Sequence, residues 1–199
     1  MGRKLLKWNE WSPGLDTDDM SVRDVLATMP RSDPDDVPEI VRKYENPESP
    51  DRLPGAISLD RHDCLHVILG RGLHVQDEAF IIGATMGAAS DITAEIVEAF
   101  IRISTTEYPE AWRFQPEHIQ SYRLGVGFAE DMLANADLHL TPFEEPPLFD
   151  TSVAKIRHDL GLVKAEMRAY FRSEEFLVPG SRATRRLDTS ARRKDQDLS

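Results

Sequence analysis

Apolar residues recur along this chain at intervals of three and four, the repeat of a helix face turned to a core, and rarely alternate as a strand's do. Val22, Val25, Leu26 and Met29 share one side of a short segment that Ser21 can cap. Pro30, Pro34 and Pro38 then break the chain, and Asp36 with Pro38 starts a helix bearing Ile40, Val41 and Tyr44. Residues 45–55, with Pro47, Pro50, Pro54 and Gly55, read as loop. Ser58 caps a helix over about Leu59–Leu69, which Gly70 and Gly72 end. A second helix starts near Asp77 and holds the longest apolar run, Ala79–Ala89. Ser90 and Asp91 mark a break or a new cap, after which Ile92, Ile96, Phe100 and Ile103 repeat at helical spacing as far as Pro109. Pro116 opens a helix with Ile119, Tyr122, Val126, Met132 and Leu133 on its apolar side, running to about Ala136. Residues 137–150 read as loop, Ser152 caps a helix ending at Gly161, and a last helix covers about Val163–Arg172.

The pattern predicts an all-α fold: a single-domain helical bundle over 21–175, a basic and aromatic N-terminal arm over 1–20, and a charged, disordered tail over 176–199. The arm sets Trp8 and Trp11 among Arg3, Lys4 and Lys7. That mixture suits a membrane–water interface, and equally an arm packed on the core. With 199 residues, 40% of them hydrophobic, the chain can bury a real core. A net charge of −11 argues against nucleic acid as a partner. The tail reverses the sign, with Arg182, Arg185, Arg186, Arg192, Arg193 and Lys194, which suits a simply solvated segment or contact with anionic lipid head groups. Cys64 is the only cysteine, which rules out an intrachain disulfide and any multi-cysteine zinc site. No secretory signal and no apolar run near the roughly 20 residues of a membrane span is visible, so the expected location is cytoplasmic, peripheral at most to the membrane's inner face.

One cluster carries chemistry. Asp60-Arg-His62-Asp63-Cys-Leu-His66 is followed, eleven residues on, by Glu78. At about 100° per helical residue, Asp63 lies near 100° and His66 near 40° from His62, so all three project to one side while Cys64 and Leu65 pack inward. Two imidazoles and two carboxylates suit a divalent ion: zinc foremost, with iron, manganese or magnesium as alternatives. Two histidines at i and i+4 form the helical half of such a site. Glu78 must return from the next helix, in whose first turn the dipole favours a carboxylate. Asp63 and Glu78 are the candidate proton shuttles.

His62-Asp63-x-x-His66-x(11)-Glu78 resembles the signature of the COQ-four-type ubiquinone (coenzyme Q) biosynthesis family. His66-Val-Ile-Leu-Gly70 and Val153-Ala-Lys-Ile-Arg157-His-Asp-Leu160-Gly161-Leu162 are similar to its flanks, and the likeness spans roughly residues 50–175. The resemblance implies an all-α fold with a metal on the motif residues. It also implies action on the prenylated benzoate head group, with C1 decarboxylation coupled to hydroxylation. It implies a prenylated quinone precursor or isoprenoid lipid lying between helices, and association with a membrane surface and with other quinone biosynthesis proteins or further copies of the chain. One departure stands inside the motif: Gln76-Asp77 precede the glutamate where the family commonly has Leu-Gly, which changes the turn and offers a fifth oxygen ligand.

Gly83 and Gly87, with Ala84, Ala88 and Ala89, suit close helix packing, and the resemblance points instead to a lipid slot there. His74 reads as a loop residue or an extra ligand, His118 and His158 as surface or capping residues, and Arg123 as either a salt-bridge partner or a receptor for a substrate carboxylate. Two other functions compete with the quinone enzyme. One is a non-catalytic prenyl-lipid scaffold with a structural metal. The other is a metallohydrolase, although no histidine precedes His62 as an HD phosphohydrolase needs, and Asp63 stands where an HExxH protease needs Glu.

Overall fold

Local signals mark several of the helix ends. The computed structural model describes residues 7–30, 36–133 and 149–187. Ser21 Oγ accepts the Asp24 N–H at 3.1 Å and starts α1, Val22–Leu26. Pro38 precedes α2, Glu39–Glu45. Ser58 precedes α3, Leu59–Leu69, and Gly70 ends it in the left-handed region at φ 69°. Gly70 N–H reaches Val67 O at 3.2 Å and Arg71 N–H reaches His66 O at 2.9 Å, the two bonds of a Schellman closure. His74 precedes α4, Val75–Gly87. Thr93, rather than Ser90 or Asp91, caps α5, Ala94–Thr106, by accepting Ile96 N–H. Pro116 opens α6, Pro116–Met132, Ser152 caps α7, Val153–Asp159, and α8 spans Lys164–Leu177. Single 3-10 turns cover Trp8–Glu10 and Glu110–Trp112.

The fold is therefore all-α, and the described residues hold one isolated bridge, Ser21 to Ser152, and no sheet. Several boundaries differ from expectation, and α6 ends at Met132 rather than near Ala136. Helix α8 continues five residues past Arg172, and a further helix, α9, Arg182–Leu187, stands where a disordered tail was expected. Its Ala183 and Thr184 are buried, so the chain just past Pro179 still belongs to the packed body. The loop expected over 137–150 falls mostly outside the described residues, as do the tail beyond Leu187 and the first six residues of the arm.

Helix α4 runs through the middle of the molecule, which explains why its sequence is apolar on all sides. Phe80, Ile81 and Ala84 face a cluster with Trp11, Leu15, Leu65, Phe128 and Phe171. Ala79, Ile82 and Met86 face a second with Val41, Phe100, Tyr108, Phe114 and Tyr122. The N-terminal arm is packed on the core at Trp11 and Leu15, with the Trp11 indole N–H donating to Thr28 Oγ1 at 2.9 Å, whereas Trp8 is exposed.

The small residues of α4 are spent on α6. A Cβ at Gly83 would stand 3.0 Å from the Tyr122 carbonyl carbon and closer to its oxygen; one at Gly87 would stand 2.6 Å from Val126 O. Gly125 of α6 meets the Phe80 backbone in the same way. The lipid slot expected at Gly83 and Gly87 is thus filled by α6 backbone, and an isoprenoid has no room at those positions.

Arg157 ties three parts of the chain together. Its guanidinium donates to Ile68 O at 2.8 Å and Val67 O at 3.3 Å, satisfying carbonyls at the end of α3. It also reaches Leu15 O at 3.0 Å and Asp18 at 2.7 Å. The helix that supplies two histidines is clamped at its C-terminus by α7 and the arm.

Candidate metal centre

Helices α3 and α4 form a hairpin with a five-residue connection, 70–74, which brings the first turn of α4 back beside the middle of α3. His62 and His66 share a face of α3, their rings 4.8 Å apart and nearly perpendicular. Glu78 reaches across to both: Oε2 lies 3.3 Å from His62 Nε2 and Oε1 lies 3.4 Å from His66 Nε2. All three donor atoms fall within 4.8 Å of one another. A tetrahedral ion bonded at about 2.0–2.1 Å separates neighbouring ligand atoms by roughly 3.3–3.4 Å. The two imidazole–carboxylate spacings, each to a different oxygen of Glu78, are of that size, and the donor set is one that zinc, iron(II) or manganese accepts. The residues fit a divalent ion.

Access is one-sided. The His66 side chain is 1% exposed, whereas His62 keeps 17% and Glu78 27%. The inner wall is closed by the edge of Trp11, whose ring centre lies 6.4 Å from that of His66.

Charge is already distributed for a cation. Burial pushes the His62 imidazole down to about 4, against the pull of Glu78 and with the push of His66. Burial also acts downward on His66, but Glu78, Asp63 and Asp77 outweigh it and hold that imidazolium above its ordinary value. Burial acts upward on Glu78, and His66 and His62 overcome it to keep the carboxylate ionised below its ordinary value. His62 is therefore uncharged at neutral pH, and His66 Nε2 faces the Glu78 carboxylate where an ion would sit. A bound metal would displace any proton held between His66 and Glu78.

Of the four residues expected to ligate, the structure gathers His62, His66 and Glu78. Asp63 stands outside the set, because it lies about 100° around the helix from His62. Its charge still raises His66, so it acts on the site through the field. Asp77 is no fifth ligand either: it faces Arg71 at 3.5 Å and receives the His74 backbone N–H. His74 caps α4, half-buried, with its ring against Trp8. His118 Nδ1 accepts the Gln115 N–H at the start of α6, and His158 is exposed beside Asp159. Arg123 pairs with Glu98 at 2.7 Å on the surface. Cys64 is buried, its thiol pushed up to about 12 by burial and the neighbouring Asp63 and Asp60.

Two groups near the site were not visible in the sequence. Glu45, at the end of α2, accepts a short hydrogen bond from the Tyr108 hydroxyl. Burial raises its carboxyl to about 7, Tyr108 works against this, and the nearby Glu78 charge adds to it. The second group is a buried network on the far side of the 70–74 connection, centred on Arg71 and Glu174. No single signal marks either, since each pairs residues far apart in the chain.

Compared with protein-family models, curated proteins and solved structures, the chain has no match.

Proposed function

We propose that this chain is a metal-dependent protein of ubiquinone or related prenylquinone biosynthesis, acting on the prenylated benzoate head group of a quinone precursor by C1 decarboxylation coupled to hydroxylation. The observation that carries the reading is the convergence of His62, His66 and Glu78, spaced in sequence as the resembled signature spaces them, at ligand distance across the α3–α4 hairpin. These three would hold the ion, zinc first and iron(II), manganese or magnesium as alternatives. When bound, such an ion supplies a Lewis acid for the carboxylate or phenolate oxygens of the head group, or a site for activating oxygen. His62, neutral, donates a lone pair from the exposed side; His66, buried, fixes the inner ligand. Glu78 has the freedom, at 27% exposure, to take or return a proton at Oε2. Asp63 tunes the field at His66. The open side admits the head group, and the prenyl chain runs outside the closed α4–α6 seam. A peripheral position at a membrane suits such a substrate, and no helix among the described residues is long and apolar enough to cross one.

The test is metal analysis of the purified protein followed by turnover of a prenylated 4-hydroxybenzoate under oxygen with each candidate ion. Loss of the ring carboxyl, dependent on His66 and Glu78, is expected. Metal-loaded protein that leaves the compound intact, while His66→Ala also leaves quinone synthesis in cells unimpaired, removes the proposal.

A further inference from the structure

The connection between the metal-binding helices is held by a closed loop of buried polar bonds. Arg71 donates its backbone N–H to the carbonyl of His66, itself a proposed ligand, at 2.9 Å. Its fully buried guanidinium lies 3.7 Å over the Phe80 ring and 4.7 Å from that of Phe171, and it donates to Glu174 Oε2 at 2.6 Å. Glu174 comes from α8, is itself fully buried, and takes two further donors: Gln76 Nε2 at 2.8 Å and Ser121 Oγ at 2.6 Å, both on Oε1. Gln76 lies in the first turn of α4, two residues before Glu78. A chain of bonds thus runs from His66 through Arg71 and Glu174 to Gln76, and the helix carries it to Glu78. Both ends of the loop are ligands, and the middle is anchored to α6 through Ser121.

We infer that Glu174 is a positioning residue for the metal centre: its carboxylate, by gripping Arg71 and Gln76 together, sets the distance between the His66 and Glu78 donors. The inference rests on the metal reading above and adds the element that makes the geometry rigid. Stability alone is a poor reason for such a group, since a buried ion pair gains little over an apolar replacement of similar volume. A site whose donors must hold ligand spacing across a five-residue connection does need it. Outer-sphere groups of this kind typically govern metal affinity by roughly 10–100-fold. The same bonds account for Gln76-Asp77 before the ligand glutamate: both side chains are turned into the network, with Asp77 on Arg71 and Gln76 on Glu174.

The experiment titrates the full chain with zinc(II) against a chromophoric chelator, and with cobalt(II) for its d–d spectrum. The proteins are wild type, Glu174→Gln, and Val97→Ala as a core truncation outside the network. Glu174→Gln should weaken zinc binding by roughly 10–100-fold and alter the cobalt band, while Val97→Ala loses stability and keeps both signals. Should Glu174→Gln not fold, Ser121→Ala removes one of the three donors and is read the same way, with an expected loss of about threefold or more. Unchanged affinity and spectrum in the folded variant overturn the positioning role and leave the metal site standing. Failure of the wild type to bind either ion overturns the metal reading itself.

Discussion

Replacing Gly83 by Ala sets two effects of known sign against each other. In a helix interior, Ala is favoured over Gly by about 0.5–1 kcal/mol, because Gly has more backbone entropy to lose. Against this, the new Cβ meets the Tyr122 peptide at 3.0 Å from its carbon and nearer to its oxygen, with Val126 N at 3.1 Å. An ordinary carbon–oxygen contact needs about 3.3 Å, so α4 and α6 must part by roughly 1 Å. The atoms met are backbone, which cannot swing aside as a side-chain tip can. The cost therefore falls toward the upper end of the 1–3 kcal/mol usual for overpacking, about 3 kcal/mol, and the net loss is about 2 kcal/mol. In a domain of this size that lowers the melting temperature by roughly 4–8 °C. Gly127 is the internal control: it lies on α6, and a Cβ there meets nothing within 4 Å. Gly127→Ala should gain the helix term alone, about 0.5–1 kcal/mol. Denaturant unfolding of the two variants beside wild type decides the matter. A Gly83→Ala protein as stable as wild type would falsify the close seam and reopen that face to a lipid.

Other consequences concern charge and metal. The folded value of about 4 for His62 lies below the unfolded value of about 6.5, so the unfolded chain binds the extra proton and stability falls as pH drops through this window. With chelator present, wild type should lose roughly 2 kcal/mol more than His62→Gln between pH 7 and 5, and equal slopes in urea titrations would contradict the burial argument. His66 works in the opposite sense: its raised value stabilises below about 6.5, and this is lost as pH rises through the folded value, so His66→Gln should steepen the acid loss. Zinc at about a hundred times its dissociation constant should stabilise the native chain by about 2.7 kcal/mol in thermal unfolding, and His66→Ala should abolish that shift. Tyr108→Phe removes a donor to the Glu45 carboxylate, so the Glu45 midpoint, about 7, should move up in a carbon-13 carboxyl titration; a downward move would mean that the hydroxyl opposes the ionised form.

Local signals made much of the fold legible. Helix α3 begins and ends at the predicted residues: Ser58 stands before it in an extended conformation, although its side chain makes no capping hydrogen bond, and Gly70 ends it in a left-handed conformation that other residues resist. The i, i+4 spacing of His62 and His66 dictates a shared face, and the glycines between α3 and α4 allow Glu78 to return. What could not be read was pairing across distance. The sequence predicts that α8 ends near Arg172, and the structure carries it on through Glu174 to Leu177. Glu174 is fully buried only because Arg71, 103 residues earlier in the chain, neutralises it. Asp63 failed for a different reason: its neighbours fix its side of the helix only to within a quarter turn, and a ligand needs far better than that. At Gly83 and Gly87 the sequence allowed both a slot and a seam, and the position of α6 decides between them.

The two rigid features of the molecule serve one end. The α4–α6 seam fixes α4 along its length by backbone contact, without the play that larger side chains allow. The Glu174 network fixes the first turn of the same helix to the end of α3. Between them, Glu78 is the one member of the donor set whose helix is held at both its start and its middle, while Arg157 holds the C-terminus of the helix bearing the histidines. A surface histidine pair beside a carboxylate requires none of this. On the proposed metal reading, donors held at 3.3 and 3.4 Å would gain from such anchoring of both helices, since affinity is lost when binding must first order its ligands. Among the described residues, the side where His62 and Glu78 keep some exposure is the one on which a ligand could reach these donors without disturbing either anchor.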